Sequence, residues 1–159
     1  MPDGVALGYS IVNARGRCPM FDSGAAFAGT APCAEESVAL IGLLVEKKPA
    51  VWIDLHVHPG AYNTPKLNPV KPEVYSTQDL GERAARADRA VAGLFAGERN
   101  IPLPLDDPDF SMRDSTPVLA AEQFGTVSLC FQNYALTEEG CKAFMVTFME
   151  TVLRAIEEV

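Results

Sequence analysis

The stretch that most restricts the fold is "CAEESVALIGLLVEKKPAVWIDLH", which runs from Cys33 to His56. Two glutamates near its start suit the positive N-terminal end of a helix, and two lysines suit the negative C-terminal end before Pro49 stops it. A short turn then leads into an apolar strand. Helix, short turn and strand in this order are typical of a parallel α/β sheet.

The second half of the chain also contains helix and strand signals. Residues 78–97 predict a helix with apolar residues inside and its arginines and acids on a solvated face, and residues 124–132 predict a strand. A closing helix, with Thr137 as N-cap, shows the clearest period. Its predicted core positions are Cys141, Phe144, Met145, Phe148, Met149, Val152 and Ile156.

Three stretches rich in glycine or proline, at residues 14–32, 61–77 and 98–117, predict loops. The alternation of helices and strands between them shows no internal repeat and no domain boundary. We therefore predict one α/β domain over residues 1–159, in which helices sandwich a mixed or mostly parallel sheet.

Charge and hydropathy exclude several classes of protein. The formal charge of -8 and the absence of clustered Lys and Arg argue against a nucleic-acid partner. The longest apolar run, residues 38–45, is too short to span a membrane. The four cysteines show no C-x-x-C spacing, which suits a reducing compartment and predicts a cytoplasmic protein.

Both histidines of the chain stand in "VWIDLHVHPG", at positions 56 and 58. Alternation along the strand places Trp52, Asp54, His56 and His58 on one face. An Asp-x-His-x-His row of this kind suits a metal or catalytic site. The alternative is that these side chains cap a strand end and bond backbone groups of the following loop.

The segment "GTAPCAEESVALIGLLVEKKPAVWIDLHVH" resembles the zinc carboxypeptidase family, the carboxypeptidase A-like metallopeptidases. There, a G-x-x-P-x-S-E-P-E loop and helix lead into a strand ending in D-L-H. The resemblance implies that His56 is a zinc ligand. Upstream, "VNARGR" is similar to the family's Asn-Arg pair that grips the substrate's terminal carboxylate. The resemblance implies substrate contacts for Asn13 and for one of Arg15 and Arg17, of which we take Arg15, although Ala14 separates it from Asn13.

Two features of the chain depart from that family. Gln132 takes the position of the general-base Glu, and an amide does not titrate in the useful range. No histidine precedes His56, so the family's H-x-x-E motif, which carries its first two zinc ligands, is absent. The resemblance thus implies only the later part of the family's domain, in a truncated form.

Three functions remain open from the sequence. The first is a zinc-dependent hydrolase of peptide or small amide substrates, of which the chain is the C-terminal portion. The second is a catalytically silent binding or interaction module, whose open sheet edge predicts self-association into a homo-oligomer. The third takes Asp-x-His-x-His as the opening of an amidohydrolase-like barrel, which needs about 250 residues.

Overall fold

The computed structural model describes residues 13, 15–19, 22–30, 32–57, 66–94, 99–100, 105–106, 111–133 and 138–157. In chain order the helices are α1 (Ser23–Ala28), α2 (Glu35–Lys47), α3 (Gln78–Ala92), α4 (Thr116–Phe124) and α5 (Glu138–Glu157). The strands are β1 (Val51–Val57), β2 (Lys66–Pro69), β3 (Arg99–Asn100) and β4 (Val127–Asn133), and a 3-10 turn covers Pro72–Val74.

Helix α2 and strand β1 form as the sequence predicts. Glu35 and Glu36 occupy the first turn of α2, and Lys47 lies in its last turn. Lys48 ends the helix in the left-handed conformation, with φ of 43°, and its N–H donates to the carbonyl of Leu44 at 3.0 Å. The connection to β1 is therefore only three residues long.

The described strands form one mixed sheet in the order β1-β4-β2-β3. Strand β1 pairs with β4 in parallel, and β2 pairs with β3 in parallel. Strand β2 runs antiparallel to β4 and ends at Pro69, which has no N–H for a further ladder bond. Beyond that point the Tyr75 hydroxyl bonds the backbone of β4 in place of a strand: it accepts from the N–H of Ser128 and donates to the carbonyl of Ser128, both at 3.1 Å.

Helices cover both faces of the sheet. Trp52 packs against a cluster from α2 and α4 (Ile41, Leu44, Leu119, Ala120). Val51 and Ile53 pack against a cluster from α3, β4 and α5 (Ala87, Val91, Leu129, Phe148, Val152). This confirms the predicted mixed sheet between helices and, for these three side chains, the predicted alternation along β1. The extent of one domain over residues 1–159 stays a prediction.

All three predicted loops contain short elements. Helix α1 lies in the first, β2 and the 3-10 turn lie in the second, and β3 and the start of α4 lie in the third. Helix α4 shows no helical period in the sequence because it is buried on most sides. Its buried residues are Thr116, Pro117, Val118, Leu119, Ala120 and Ala121.

Two side chains differ from the predicted burial. Asp88 of α3 is buried rather than part of a solvated face, and Met149 of α5 is exposed rather than in the core. Phe148 and Val152 are fully buried, as predicted. Thr137 lies outside the described residues, as does the side chain of Cys141. Among the residues that the structure describes, no helix is long and apolar enough to cross a membrane.

Candidate functional site

The candidate site lies at the carboxyl ends of β1 and β4, on the side of the sheet toward which the N-terminal end of α2 is directed. Helix α2, with 13 residues, and β1, with 7, both span roughly 20 Å. The chain reverses within three residues, and Ile41 and Leu44 of α2 pack against Trp52 of β1. The N-terminal end of α2 therefore lies toward the carboxyl end of β1.

Strand pairing brings the two predicted site residues of the sheet together. His56 of β1 lies in register with Gln132 of β4, and Gln132 lies in register with Lys66 of β2. The register is defined here by Cα partners. His58 lies outside the described residues, so its place on the same face of β1 as His56 stays a prediction.

Asn13 is buried and organises the loop that carries Arg15. Its side-chain oxygen accepts from the backbone N–H groups of Arg15, at 3.0 Å, and Arg17, at 3.1 Å. Its amide nitrogen donates to Glu36 of α2 at 3.0 Å. With 5% of its surface exposed and its side chain bonded in this way, Asn13 acts here as a positioning residue for the loop.

Arg15 is one of two exposed arginines of this loop, and Arg17 is the other. Its guanidinium lies 2.6 Å from the carboxylate of Glu35, and both side chains are largely exposed, at 73% and 72%. The sequence assigned Glu35 and Glu36 only to the positive end of the helix. In the structure they also hold the Asn13–Arg15 loop against the start of α2.

Asp54 and Cys130, which lie two residues before His56 and Gln132 on the same strands, are also in register with each other. Burial and, to a smaller extent, the charge of Asp54 raise the pKa of the Cys130 thiol to about 12. At neutral pH the thiolate is therefore scarce, which removes Cys130 as a nucleophile.

Among the residues that the structure describes, the donor set for a metal is incomplete. Within the described part of the chain, no group of three or more His, Cys, Asp or Glu side chains could hold a metal ion. Catalytic zinc takes three protein ligands and keeps one open position. The described residues therefore do not fit a zinc site on their own, and His56 supplies one ligand at most.

Lys66 is the residue of this region that the sequence did not predict. It stands in a stretch with several prolines that predicted a loop, and only the pairing of β2 with β4 brings it into register with Gln132. A four-residue strand ending in proline gives no period that could have revealed this.

Comparisons with known proteins point to one fold. The scan with protein-family models gives no match, and the search of curated proteins gives none either. The chain is similar to the crystal structure of a candidate carboxypeptidase A from Shewanella denitrificans OS-217, with TM-score 0.72 and 14% identity over 98% of this chain and 43% of that one. It is also similar to a metallo-carboxypeptidase from Burkholderia cenocepacia, with TM-score 0.73 and 16% identity over 98% of this chain and 42% of that one.

The chain thus spans less than half the length of either solved structure. Identities of 14% and 16% are informative about the fold rather than the activity. The mixed sheet, the helices on both of its faces and these two likenesses together show that the chain has a carboxypeptidase-like α/β fold.

Proposed function

We propose that the chain provides the carboxylate-recognising part of a metallocarboxypeptidase-like hydrolase of peptide or amide bonds. One observation carries the proposal: in a carboxypeptidase-like fold, the Asn13–Arg15 loop and the His56–Gln132 register pair belong to the same end of the sheet. Binding sites of open α/β sheets commonly lie at the carboxyl ends of the strands.

Arg15 is the proposed contact for the terminal carboxylate of a substrate. A guanidinium can donate two parallel N–H bonds to a carboxylate. In the structure, one guanidinium nitrogen of Arg15 already contacts one carboxylate oxygen of Glu35 at 2.6 Å. Exposed ion pairs contribute roughly 0–1 kcal/mol, so exchanging Glu35 for a substrate carboxylate costs little. Asn13 supports the exchange because it holds the backbone of Arg15 through a part-buried hydrogen bond.

His56 is the proposed zinc ligand of this chain. Bound zinc in such enzymes polarises the scissile carbonyl and lowers the pKa of its water. The described residues do not complete its ligand set, so no step of hydrolysis is assigned to them. Gln132 can donate or accept a hydrogen bond at this site, but it cannot take a proton from water.

The isolated chain should therefore bind a peptide carboxylate without cleaving the peptide. The test compares a short N-blocked peptide that has a free C-terminus with the same peptide as its C-terminal amide, by calorimetric titration. We expect the acid to bind and the amide to bind more weakly, by up to about fivefold, which corresponds to about 1 kcal/mol for an exposed carboxylate contact. Equal binding of the two peptides would contradict the proposal.

Two arginine variants decide whether Arg15 makes this contact. Arg15→Ala should weaken binding of the acid to the level of the amide. Arg154→Ala is the matched control, because Arg154 is also exposed (77% of its side chain) and also pairs with a carboxylate, that of Glu150 in α5. Binding that is insensitive to Arg15→Ala would remove Arg15 from the site.

Zinc content and hydrolysis test the role of His56. We expect the purified chain to show no hydrolysis of the acid peptide with or without added zinc. One zinc per chain, with hydrolysis that is lost in His56→Ala, would mean that residues outside the described part complete the site and that the chain is a whole enzyme.

A catalytically silent binding module is the second candidate function. Gln132 at the base position and the incomplete donor set favour it. The amidohydrolase-like barrel receives no support, since that fold closes eight parallel strands whereas β2 runs antiparallel to β4 here. Cytoplasmic location and a peptide or small amide substrate remain parts of the proposal.

A further inference from the structure

An apolar groove follows the outer edge of β1. It has a volume of about 270 Å³ and is lined by Leu43, Leu44, Lys47, Pro49, Val51, Trp52 and Ile53. Among the described strands, β1 pairs with β4 alone, so no other described strand lies along its second edge. The indole N–H of Trp52 is buried there without a hydrogen-bond partner in the described part of the chain. An uncovered edge beside apolar side chains is a surface that proteins normally cover.

The flank of this groove on α2 carries a self-complementary row of side chains. Glu36, Leu40, Leu43 and Lys47 follow one another at spacings of four, three and four residues, which places them along one side of the helix. Leu43 is 50% exposed although it is a large apolar residue. When two copies of this row are set antiparallel, each acid faces a base and each leucine faces a leucine.

We propose that this face, the groove together with the α2 row, binds a second copy of the chain about a two-fold axis. The axis passes between Leu40 and Leu43, so that Glu36 lies opposite the partner's Lys47 and Leu43 lies opposite the partner's Leu40. Two-fold dimers are the commonest oligomers, and they require a surface that is complementary to itself. Antiparallel α2 helices also bring the positive end of each helix toward the negative end of the other.

Charge complementarity is what selects a second copy as the occupant. Each chain carries a formal charge of -8, which disfavours self-association in general. The α2 row differs from that average because it pairs one acid with one base. Lys47 keeps 65% of its side chain exposed, although it contacts its neighbour Glu46, so its charge is accessible from solution.

Sedimentation equilibrium of the full chain tests the proposal. We expect a species of twice the 17.1 kDa chain mass, in equilibrium with monomer. Leu43→Arg should shift the population to monomer. Val146→Arg is the matched control, since Val146 is an exposed apolar residue of α5 (60% exposed) outside this face and should leave the dimer intact. A wild-type monomer at every concentration, or a dimer that Val146→Arg breaks and Leu43→Arg does not, would overturn the proposal.

A charge exchange tests the pairing itself. Lys47→Glu places two acids opposite each other and should weaken the dimer at least tenfold, whereas Glu36→Lys combined with Lys47→Glu restores opposite charges and should recover it. Far-UV circular dichroism checks that each variant is folded, because Glu36 also binds Asn13. If the doubly exchanged chain folds and stays as weak a dimer as Lys47→Glu, the antiparallel pairing is wrong.

Discussion

Asp88 of α3 is a carboxyl group that the fold holds away from water. It is 6% exposed, and its Oδ1 atom has no hydrogen-bond partner among the described residues. Burial raises its pKa from 3.8 to about 7, and the nearby charge of Arg89 offsets only part of that rise. The sequence pattern of α3 does not predict the burial of Asp88, because an acid between arginines is typical of a solvated helix face.

This carboxyl group predicts a pH-dependent stability. Because the pKa is higher in the folded chain, the folded state binds more protons between about pH 4 and pH 7, and the free energy of unfolding falls as pH rises through that window. One proton corresponds to about 1.4 kcal/mol per pH unit at most. Asp88→Asn should therefore be more stable than wild type at pH 8, by a few kcal/mol on this scale, and should lose the corresponding slope.

Urea denaturation at a series of pH values measures this effect. Glu82→Gln is the control, since Glu82 is an exposed acid of the same helix and its removal should leave the wild-type slope. An Asp88→Asn chain with an unchanged slope between pH 4 and pH 7 would show that Asp88 is ionised in the folded state.

At the scale of elements, α2 and β1 could be predicted because local signals agree there. First-turn acids, last-turn lysines and Pro49 mark the helix, and an alternating apolar run marks the strand. Helix α4 could not be predicted because it is buried on most sides and therefore has no alternation of apolar and polar residues at a helical period. Strand β2 could not be predicted because it has only four residues. Their formation depends on tertiary contacts that no local window contains.

The candidate site was predictable only in part for a related reason. His56 and Gln132 stand on strands that lie far apart in the sequence, and their register follows from the pairing of β1 with β4. Local patterns did not bring them together, and it was the family resemblance that connected them. The part-buried hydrogen bonds of Asn13, which make it a support for Arg15, depend on Glu36 and on the loop geometry.

The end of α2 offers a prediction about a single helix terminus. Lys48 adopts φ of 43°, a left-handed conformation that costs roughly 1–2 kcal/mol for a residue with a side chain. Glycine relieves this strain but loses more entropy on folding, by roughly 0.5–1 kcal/mol. Lys48→Gly should therefore raise the free energy of unfolding by up to about 1 kcal/mol.

The neighbouring lysine is the control for that substitution. Lys47 lies within α2, where glycine costs about 1 kcal/mol relative to a good helix former. Thermal and urea melts should thus shift in opposite directions for Lys48→Gly and Lys47→Gly. Two shifts of the same sign would mean that the loss of a lysine at this end of the helix outweighs the backbone effect.

At the scale of the whole molecule, the sheet joins apolar clusters that lie on its two faces. The cluster that contains Phe148 lies on one face, and the cluster packed against Trp52 lies on the other. Neighbouring residues of β1 contribute to both clusters, so neither face can separate from the sheet without affecting the other. We expect the described elements to unfold as one cooperative unit.

The single tryptophan makes this expectation measurable. Phe148 is fully buried, so Phe148→Ala should lower the free energy of unfolding by about 3–5 kcal/mol. Met149→Ala, next to it but 40% exposed, should cost below about 1 kcal/mol. If the two faces unfold together, the fluorescence of Trp52 and the helical circular dichroism of the Phe148→Ala chain report the same urea midpoint, although Trp52 lies on the opposite face. A helical transition that precedes the change in Trp52 fluorescence would mean that the α3 and α5 face opens on its own, and that the sheet with α2 and α4 forms the more stable half of the fold.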